Sequence, residues 1–366
     1  MIDLFSPIER NAAFAARKPA LRFEGATLTY GDLVRRVRGA AAALHKAGVG
    51  EGDRVAVLAY NHPDTLTLLY ACAKLGAVLT PLNWRLAEDE LAYAIDHAQP
   101  KQLAHGAAFA ELAQRFLPPD KLIPLEQPLA LEGDGESPDR AAPEKPCLLV
   151  YTSGTTGRPK GALLSQAALV GNAIQSHHMH QMGASDHVLT VLPLFHVGGL
   201  NIQTTPALMA GATVTLTARF DPSETLRAIV DDRPTLTLLV PAAMQALAAM
   251  PGFEEANLSG LRALSTGSTI VPEALIETFE RRGVPVLSVY GATETSPIAA
   301  YDRWGEPRVK GATGRAGLLS HIKIVGPDGA RLPSGTHGEI AVRGPGLSAY
   351  FRDAEATAQT LREGYI

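Results

Sequence analysis

Cysteine is scarce: 366 residues hold only two, Cys72 and Cys147, far apart and in no CxxC pair. That argues against a disulfide framework and against a cysteine-based zinc site, and it fits a reducing cytoplasm. Long hydrophobic runs are missing as well. No stretch approaches the ~18 consecutive apolar residues that a membrane-spanning helix needs. The opening MIDLFSPIERNAAFAARKPA carries acids early and lacks the continuous apolar core of a secretory signal. Nor is one sign of charge in excess. Lys and Arg total 33 against 37 Asp and Glu, a net charge of −4, which argues against a nucleic-acid binder driven by phosphate neutralisation. The basic cluster Arg35, Arg36 and Arg38 is interleaved with Leu33, Val34 and Val37 and reads as the wet face of an amphipathic helix. Two motifs are absent: without GxSxG a serine nucleophile elbow has no support, and without GxGxxG a dinucleotide fold lacks its usual sign.

What is present describes a globular chain. Hydrophobic residues make up 46% and charged residues 19%, so a large buried core is expected, and the length implies two or more packed units. The first third alternates helix signals (31–48, 64–76, 88–98) with strand signals (54–60, 77–83). Residues 117–146 are rich in Pro, Glu, Asp and Gly and read as a surface connection. From 187 to 290 five strand-like runs (HVLTVLP, ATVTLTA, LTLLVP, LRALST, VPVLSVYG) are separated by four helical runs. Such alternation implies right-handed crossovers and a mostly parallel sheet covered on both faces. After about residue 305, HIKIVGPDGARLPSGTHGEIAVRG reads as a β region with turns at PDG and PSG, followed by a helix signal at DAEATAQTLRE.

The richest chemistry lies in YTSGTTGRPKG, residues 151–161, with three glycines, four Ser/Thr hydroxyls, one lysine and no acid. It follows the apolar run PCLLVYT and precedes ALLSQAALVGNAI, so it reads as a turn from strand to helix, a common place for a phosphate grip. It is not the Walker A pattern, because Pro159 precedes the lysine and Gly161 follows it. In open parallel sheets ligands bind beyond the carboxyl ends of strands. The strand ends here are TSGTTGRPKG, PLFHVGG (193–199), STGST (265–269) and YGATE (290–294). Sharing one direction, they converge on one cleft suited to a phosphorylated ligand: amides and hydroxyls for oxygens, Lys160 for charge, and Glu294 as a hard oxygen donor to Mg²⁺. Taken singly, each has a plainer reading: a flexible loop, an exposed loop acid at Glu294, a structural histidine at His196. The trio His177, His178 and His180 has no evident third metal ligand and reads as structural.

Taken together, YTSGTTGRPKG, YGATETSP (290–297) and GEIAVRGPGLSAYF (338–351) resemble the adenylate-forming superfamily of acyl- and aryl-CoA synthetases, luciferases and peptide-synthetase adenylation domains. The resemblance implies two stacked, mostly parallel sheets flanked by helices in a layered α/β/α/β/α arrangement, with a small β-barrel-like region near the C-terminus. It divides the chain into 1–180, 181–305 and a β-rich 306–366. It further implies an N-terminal large portion without the mobile lid domain that follows in relatives, and so a catalytically incomplete ligase. Thr152, Ser153, Gly154, Thr155, Thr156, Gly157 and Lys160 would hold the ATP phosphates. Gly267, Ser268 and Thr269 would lie against adenine, with Tyr290, Gly291 and Ala292 closing the other side. Thr293 would contact phosphate and Glu294 would ligate Mg²⁺. His196 would stand beside the substrate carboxylate, with Val197, Gly198, Gly199 and Asn201 near the acyl group.

The implied reaction converts a small-molecule carboxylic acid and ATP to acyl-AMP and pyrophosphate, then transfers the acyl group to CoA. An amino-acid adenylation domain and a non-catalytic nucleotide-binding fragment are the alternatives. PLFHVGGLN contains no acid to pair a substrate ammonium, which disfavours the first of these. No cation is evident in the pocket segments to pair a second carboxylate, which disfavours a dicarboxylate. Neither nucleic acid nor a membrane span enters this reading, and a homodimer is compatible with it. The adenine segment departs from the family, reading GSTIVP where many relatives have Gly-Gly-Ala-Pro.

Overall fold

The structure is a computed structural model that describes residues 2–125, 136–152 and 158–366. The five strand-like runs between 187 and 290 form strands His187–Thr190, Thr213–Leu216, Leu236–Leu238, Ala263–Gly267 and Val286–Tyr290. All are parallel, and they lie side by side in a nine-stranded sheet. Helices Pro222–Asp232, Pro241–Ala248 and Glu273–Arg281 connect them. Each starts with Pro at or beside its first turn or with acid in it, as unpaired N–H groups and the helix dipole favour. Strands Pro19–Phe23 and Ala26–Thr29 complete one edge of this sheet, Pro19–Phe23 pairing in parallel with Thr213–Leu216. That pairing spans most of the chain, so no local window of sequence reveals it.

The second sheet has seven strands in the order Leu347–Tyr350, Lys160–Ser165, Pro146–Thr152, Val78–Pro81, Arg54–Leu58, Gln102–His105 and Leu122–Pro124. Two helices show that they lie in the interior. In Pro63–Leu75 every residue except Lys74 is buried, the pattern of a helix covered on all sides. In Gln166–His180 the buried face includes Gln166, Asn172 and Gln175, and each pins a distant segment. Gln166 accepts from the Leu4 amide and donates to the Ala73 carbonyl. Asn172 donates to the Asn201 carbonyl and accepts from the Ile298 amide. Gln175 donates to the Ile298 carbonyl. Buried amides persist only when paired, and these pairings fix the loop after Tyr290 against the segment after His196. One continuous apolar core runs from Leu4 to Tyr301 and joins residues of both sheets.

The β-rich region expected near the C-terminus is a two-stranded antiparallel sheet, His321–Val325 with Glu339–Arg343. Neighbouring strands are given to the large sheets: Ala300–Tyr301 and Arg315–Ala316 to one, Leu347–Tyr350 to the other. One local expectation is corrected. The glycine-rich stretch does not lead into a helix. It joins two antiparallel strands, with Thr152 opposite Lys160, and the helix begins only at Gln166 after a Ser165 cap. Gly-Ala-Leu-Leu is too short a run to distinguish the two periods. Pairing on both sides, with 146–152 and with 347–350, makes it strand.

Candidate active site

Three of the four polar strand ends meet at one cavity of about 620 Å³. His196, Val197, Gly198 and Gly199 line it from one strand end, Gly267 and Ser268 from a second, Gly291, Ala292 and Thr293 from a third. Apolar wall is added by Ile202, Phe220, Leu238, Val240 and Ala243. Asn61 brings the strand-end loops together. Its amide donates to the Leu192 and Thr217 carbonyls, each at 3.0 Å, and its oxygen accepts from the Leu194 amide at 2.8 Å. Backbones approach closely here. A methyl on Gly267 would stand 2.2 Å from the Val289 carbonyl oxygen, and one on Gly199 2.3 Å from that of Pro193. Ser268 holds a left-handed backbone, φ 75°, where it turns into the cavity. A non-glycine residue there is strained, and such strain gathers at functional sites.

The fourth strand end joins through a side chain that the sequence did not single out. Tyr350, on the strand beside Lys160–Ser165, donates its hydroxyl to Glu294 Oε1 at 2.7 Å, and the Lys160 ammonium lies 5.5 Å from the centre of its ring. Lys160 and Glu294 therefore face one shared residue although 134 positions separate them (294 − 160). Burial and the neighbouring carboxylate raise the Tyr350 pKa, so the phenol remains a donor at neutral pH. Ser153, Gly154, Thr155, Thr156 and Gly157 lie outside the described residues. The hairpin ends that frame them, Thr152 and Lys160, are in place. Six described residues anticipated for the site are not part of the cavity lining: Thr152, Lys160 and Glu294 stand outside it, Thr269 and Tyr290 are exposed, and Asn201 is fully buried against Asn172 and Thr205.

No Asp or Glu lines the cavity among the described residues, but a cation does. Arg85 reaches it from a segment more than a hundred residues upstream of His196, its guanidinium over the rings of Trp84 at 4.8 Å and Phe195 at 5.7 Å. The pocket segments themselves hold no cation, but Arg85 brings one from elsewhere in the chain, and the sequence argument against a second substrate carboxylate falls with it. Arg85, Pro193 and Phe220 also border a second cavity of about 530 Å³, which holds Arg219 stacked on Tyr60 at 4.6 Å.

The His196 ring is open to the cavity yet walled by protein, and desolvation, then the Arg85 charge, lowers its pKa. Both causes favour neutral imidazole at pH 7. An NMR titration is expected to place the His196 midpoint below the ordinary 6.5, and Arg85→Gln should move it upward by removing the second cause. A midpoint at or above 6.5 would contradict this geometry. The trio His177, His178 and His180 is held in structural hydrogen bonds. His177 bonds the Pro206 carbonyl, His178 the Tyr301 hydroxyl and His180 the Ser265 hydroxyl. No cluster of three metal-ligating side chains occurs among the described residues. Cys72 and Cys147 are free and buried, and no described helix is long and apolar enough to cross a membrane.

Comparison with known proteins agrees with this geometry. The AMP-binding enzyme family matches residues 8–351, and the chain belongs to that family. It is 45% identical to the indoleacetate–CoA ligase of Aromatoleum aromaticum, covering all of this chain and 75% of that protein. It is 38% identical to a feruloyl-CoA synthase of Amycolatopsis, covering 98% and 73%. Among solved structures, the inhibitor-bound N-terminal domain of FACL13 from Mycobacterium tuberculosis superposes with a TM-score of 0.93 at 26% identity, over all of this chain and 95% of that one.

Proposed function

We propose that this chain carries the adenylate-forming site of an acid–CoA ligase that activates an aryl-substituted carboxylic acid with ATP. The observation that carries the reading is the link from Lys160 through Tyr350 to Glu294, the residue that follows the cavity-lining Thr293. In this reading a carboxylate oxygen attacks the α-phosphorus, a new O–P bond forms, and the bond to pyrophosphate breaks. The thiol sulfur of CoA then attacks the acyl carbonyl, AMP leaves, and the thiol proton passes to solvent.

Two anions must approach in the first step, so the chain has to supply positive charge and oriented donors. Lys160 stands on the phosphate side. Thr293, with Gly291 and Ala292 beside it, lines the cavity. His196, neutral, stands beside the carboxylate without an ion pair that would hold it back from reaction. Glu294 is a half-buried carboxylate with one oxygen already taken by Tyr350, and its hard second oxygen fits Mg²⁺, which binds through one or two carboxylates and substrate phosphates. When bound, that ion would neutralise charge developing on the phosphates. The second cavity, lined by Arg85 and Arg219 but also by Asp221 and Glu224, shares Arg85, Pro193 and Phe220 with the first and would offer CoA an approach to the acyl carbonyl.

The apolar wall of Ile202, Phe220, Leu238, Val240 and Ala243 supports a ring-bearing acid, as do relatives named for indoleacetate and ferulate. The absence of an acid in the lining disfavours an amino-acid substrate. The test is carboxylate-dependent exchange of labelled pyrophosphate into ATP over a panel of acids, followed by CoA. Exchange with arylacetic or arylpropenoic acids and a thioester product is expected. Exchange stimulated only by amino acids, with no CoA-dependent product, would overturn the reading.

A further inference from the structure

Behind the apolar wall the chain after His196 leaves regular α-helix. Leu200–Thr204 forms a π-helical turn between helical residues Val197–Gly199 and Thr205–Met209. Such turns are rare and gather at functional sites. Gln203 lies on this turn, 2% exposed, and its Oε1 has no hydrogen-bond partner.

Counting protons shows why the acceptor is left over. His180 Nδ1 sits 2.8 Å from the Ser176 carbonyl oxygen and so carries the ring proton. Nε2 is then an acceptor and takes the Ser265 hydroxyl at 2.8 Å. Burial pushes the His180 pKa down to about 4, so the ring holds no second proton. Gln203 Nε2 faces three acceptors: the Thr237 carbonyl at 3.3 Å, His180 Nε2 at 3.2 Å and Ser265 Oγ at 3.3 Å. The amide is therefore fixed with its NH₂ toward them, and turning it over would set oxygen against the Thr237 oxygen. The remaining neighbours cannot help. The Thr204 hydroxyl donates to the Gly199 carbonyl at 2.6 Å, and Thr190 to Thr204 at 2.8 Å. Asn201 Nδ2, the other unpaired amide atom of this turn, does not border the space that Gln203 faces.

That space is a water-sized void of about 10 Å³, walled by Leu189, Val191, Leu192 and Leu238 together with Gly199 and the already bonded Thr190 and Thr204. Leu192, Gly199 and Leu238 border both the void and the 620 Å³ cavity, so the partition between them is largely two leucine side chains. A water there would find one free acceptor and no donor for its own oxygen, fewer partners than buried waters keep.

Resting on the reading above that the large cavity takes the acid, we propose that Gln203 is a specificity residue that accepts a hydrogen bond from an N–H or O–H group on the ring of the acyl substrate, reached by displacement of Leu238. The substrate class is thereby narrowed to aryl acids whose ring carries a donor. A site with a buried acceptor penalises the analogue lacking the donor, because the acceptor then loses water and gains nothing.

The test uses matched acids of nearly equal shape: indole-3-acetate against benzofuran-3-acetate, and 4-hydroxycinnamate against cinnamate. Calorimetric titration of the chain is expected to favour the donor-bearing member of at least one pair by about ten- to a hundredfold. Gln203→Met, similar in length and apolar, should bring that pair within about twofold, chiefly by improving the donor-free acid. Equal binding of both members of both pairs by the unaltered protein would overturn the proposal and leave the void to a trapped water. Retention of the preference in Gln203→Met would overturn it too, and so would binding of other acids but neither pair. The unaltered protein decides the first and third outcomes, so a variant that fails to fold does not block the test. Pyrophosphate exchange with a donor-free acid, without discrimination, sinks this inference and spares the reading beneath it; discrimination without exchange by any acid does the reverse.

Discussion

Glu294→Gln lowers the rate of adenylate formation by about two to three orders of magnitude while leaving affinity for the acid within about twofold. The substitution preserves shape. A glutamine carbonyl still accepts the Tyr350 hydroxyl that Glu294 Oε1 accepts at 2.7 Å, and the short 3₁₀ turn Thr293–Thr295 keeps its own bond from the Thr295 amide to the Ala292 carbonyl at 2.9 Å. What disappears is one negative charge and one hard oxygen. The loss should therefore be largest at low Mg²⁺ and shrink as Mg²⁺ is raised, and Mn²⁺ binding in the presence of ATP, followed by electron paramagnetic resonance, should weaken. Tyr350→Phe separates position from charge. It removes the hydroxyl but keeps the ring under Lys160, and about a tenfold effect follows from losing one hydrogen bond to a carboxylate. An unchanged Mg²⁺ titration in Glu294→Gln would remove Glu294 from the metal and leave it a loop acid held by a tyrosine.

Much of this site can be read along the chain because the parallel sheet writes it locally. Three of the five strands between 187 and 290 end in small and polar residues (193–199, 265–269 and 290–294), and a parallel sheet places such ends on one edge. His196, Gly267, Ser268, Gly291 and Thr293 are legible for that reason, and the structure lines one cavity with them. The residues that escape are those brought in by pairing across the fold. Arg85 arrives from the other sheet's side of the chain. Tyr350 arrives on a strand whose place beside Lys160–Ser165 is set by long-range register. Gln203 looks like any polar residue on a helix, and only the proton count of its neighbours reveals the unpaired oxygen. The glycine-rich hairpin shows the same limit from the other side: an apolar run of a few residues suits strand and helix equally, and the neighbours on both edges decide. A chemistry-bearing residue in a turn is visible to a sequence window, whereas a side chain chosen by its tertiary partner is not.

Gly291→Ala is expected to lower stability by about 1–3 kcal/mol or more and to abolish nucleotide binding, although it removes no chemical group. An added methyl would stand 1.5 Å from the Pro297 carbonyl oxygen and 2.8 Å from the Thr295 hydroxyl. Neither can retreat alone. The Ala292 amide donates to that hydroxyl at 2.9 Å, the hydroxyl donates to the Pro297 carbonyl at 3.1 Å, and the Ala299 amide donates to the Tyr290 carbonyl at 2.9 Å. The turn is thus closed on itself by bonds on both sides of Gly291, and relief comes only by swinging the whole of 291–297 away, which carries Thr293 off the cavity and Glu294 with it. Gly198 is the control. It lines the same cavity, but a methyl there meets nothing within 4 Å, so Gly198→Ala should keep the urea midpoint and narrow only the room for the acyl group. Urea denaturation at constant m-value, paired with calorimetric titration of ATP, separates the two. A Gly291→Ala protein with an unshifted midpoint and normal ATP affinity would mean that the turn yields freely, and that its closeness to the nucleotide is not what fixes Thr293 and Glu294 in place.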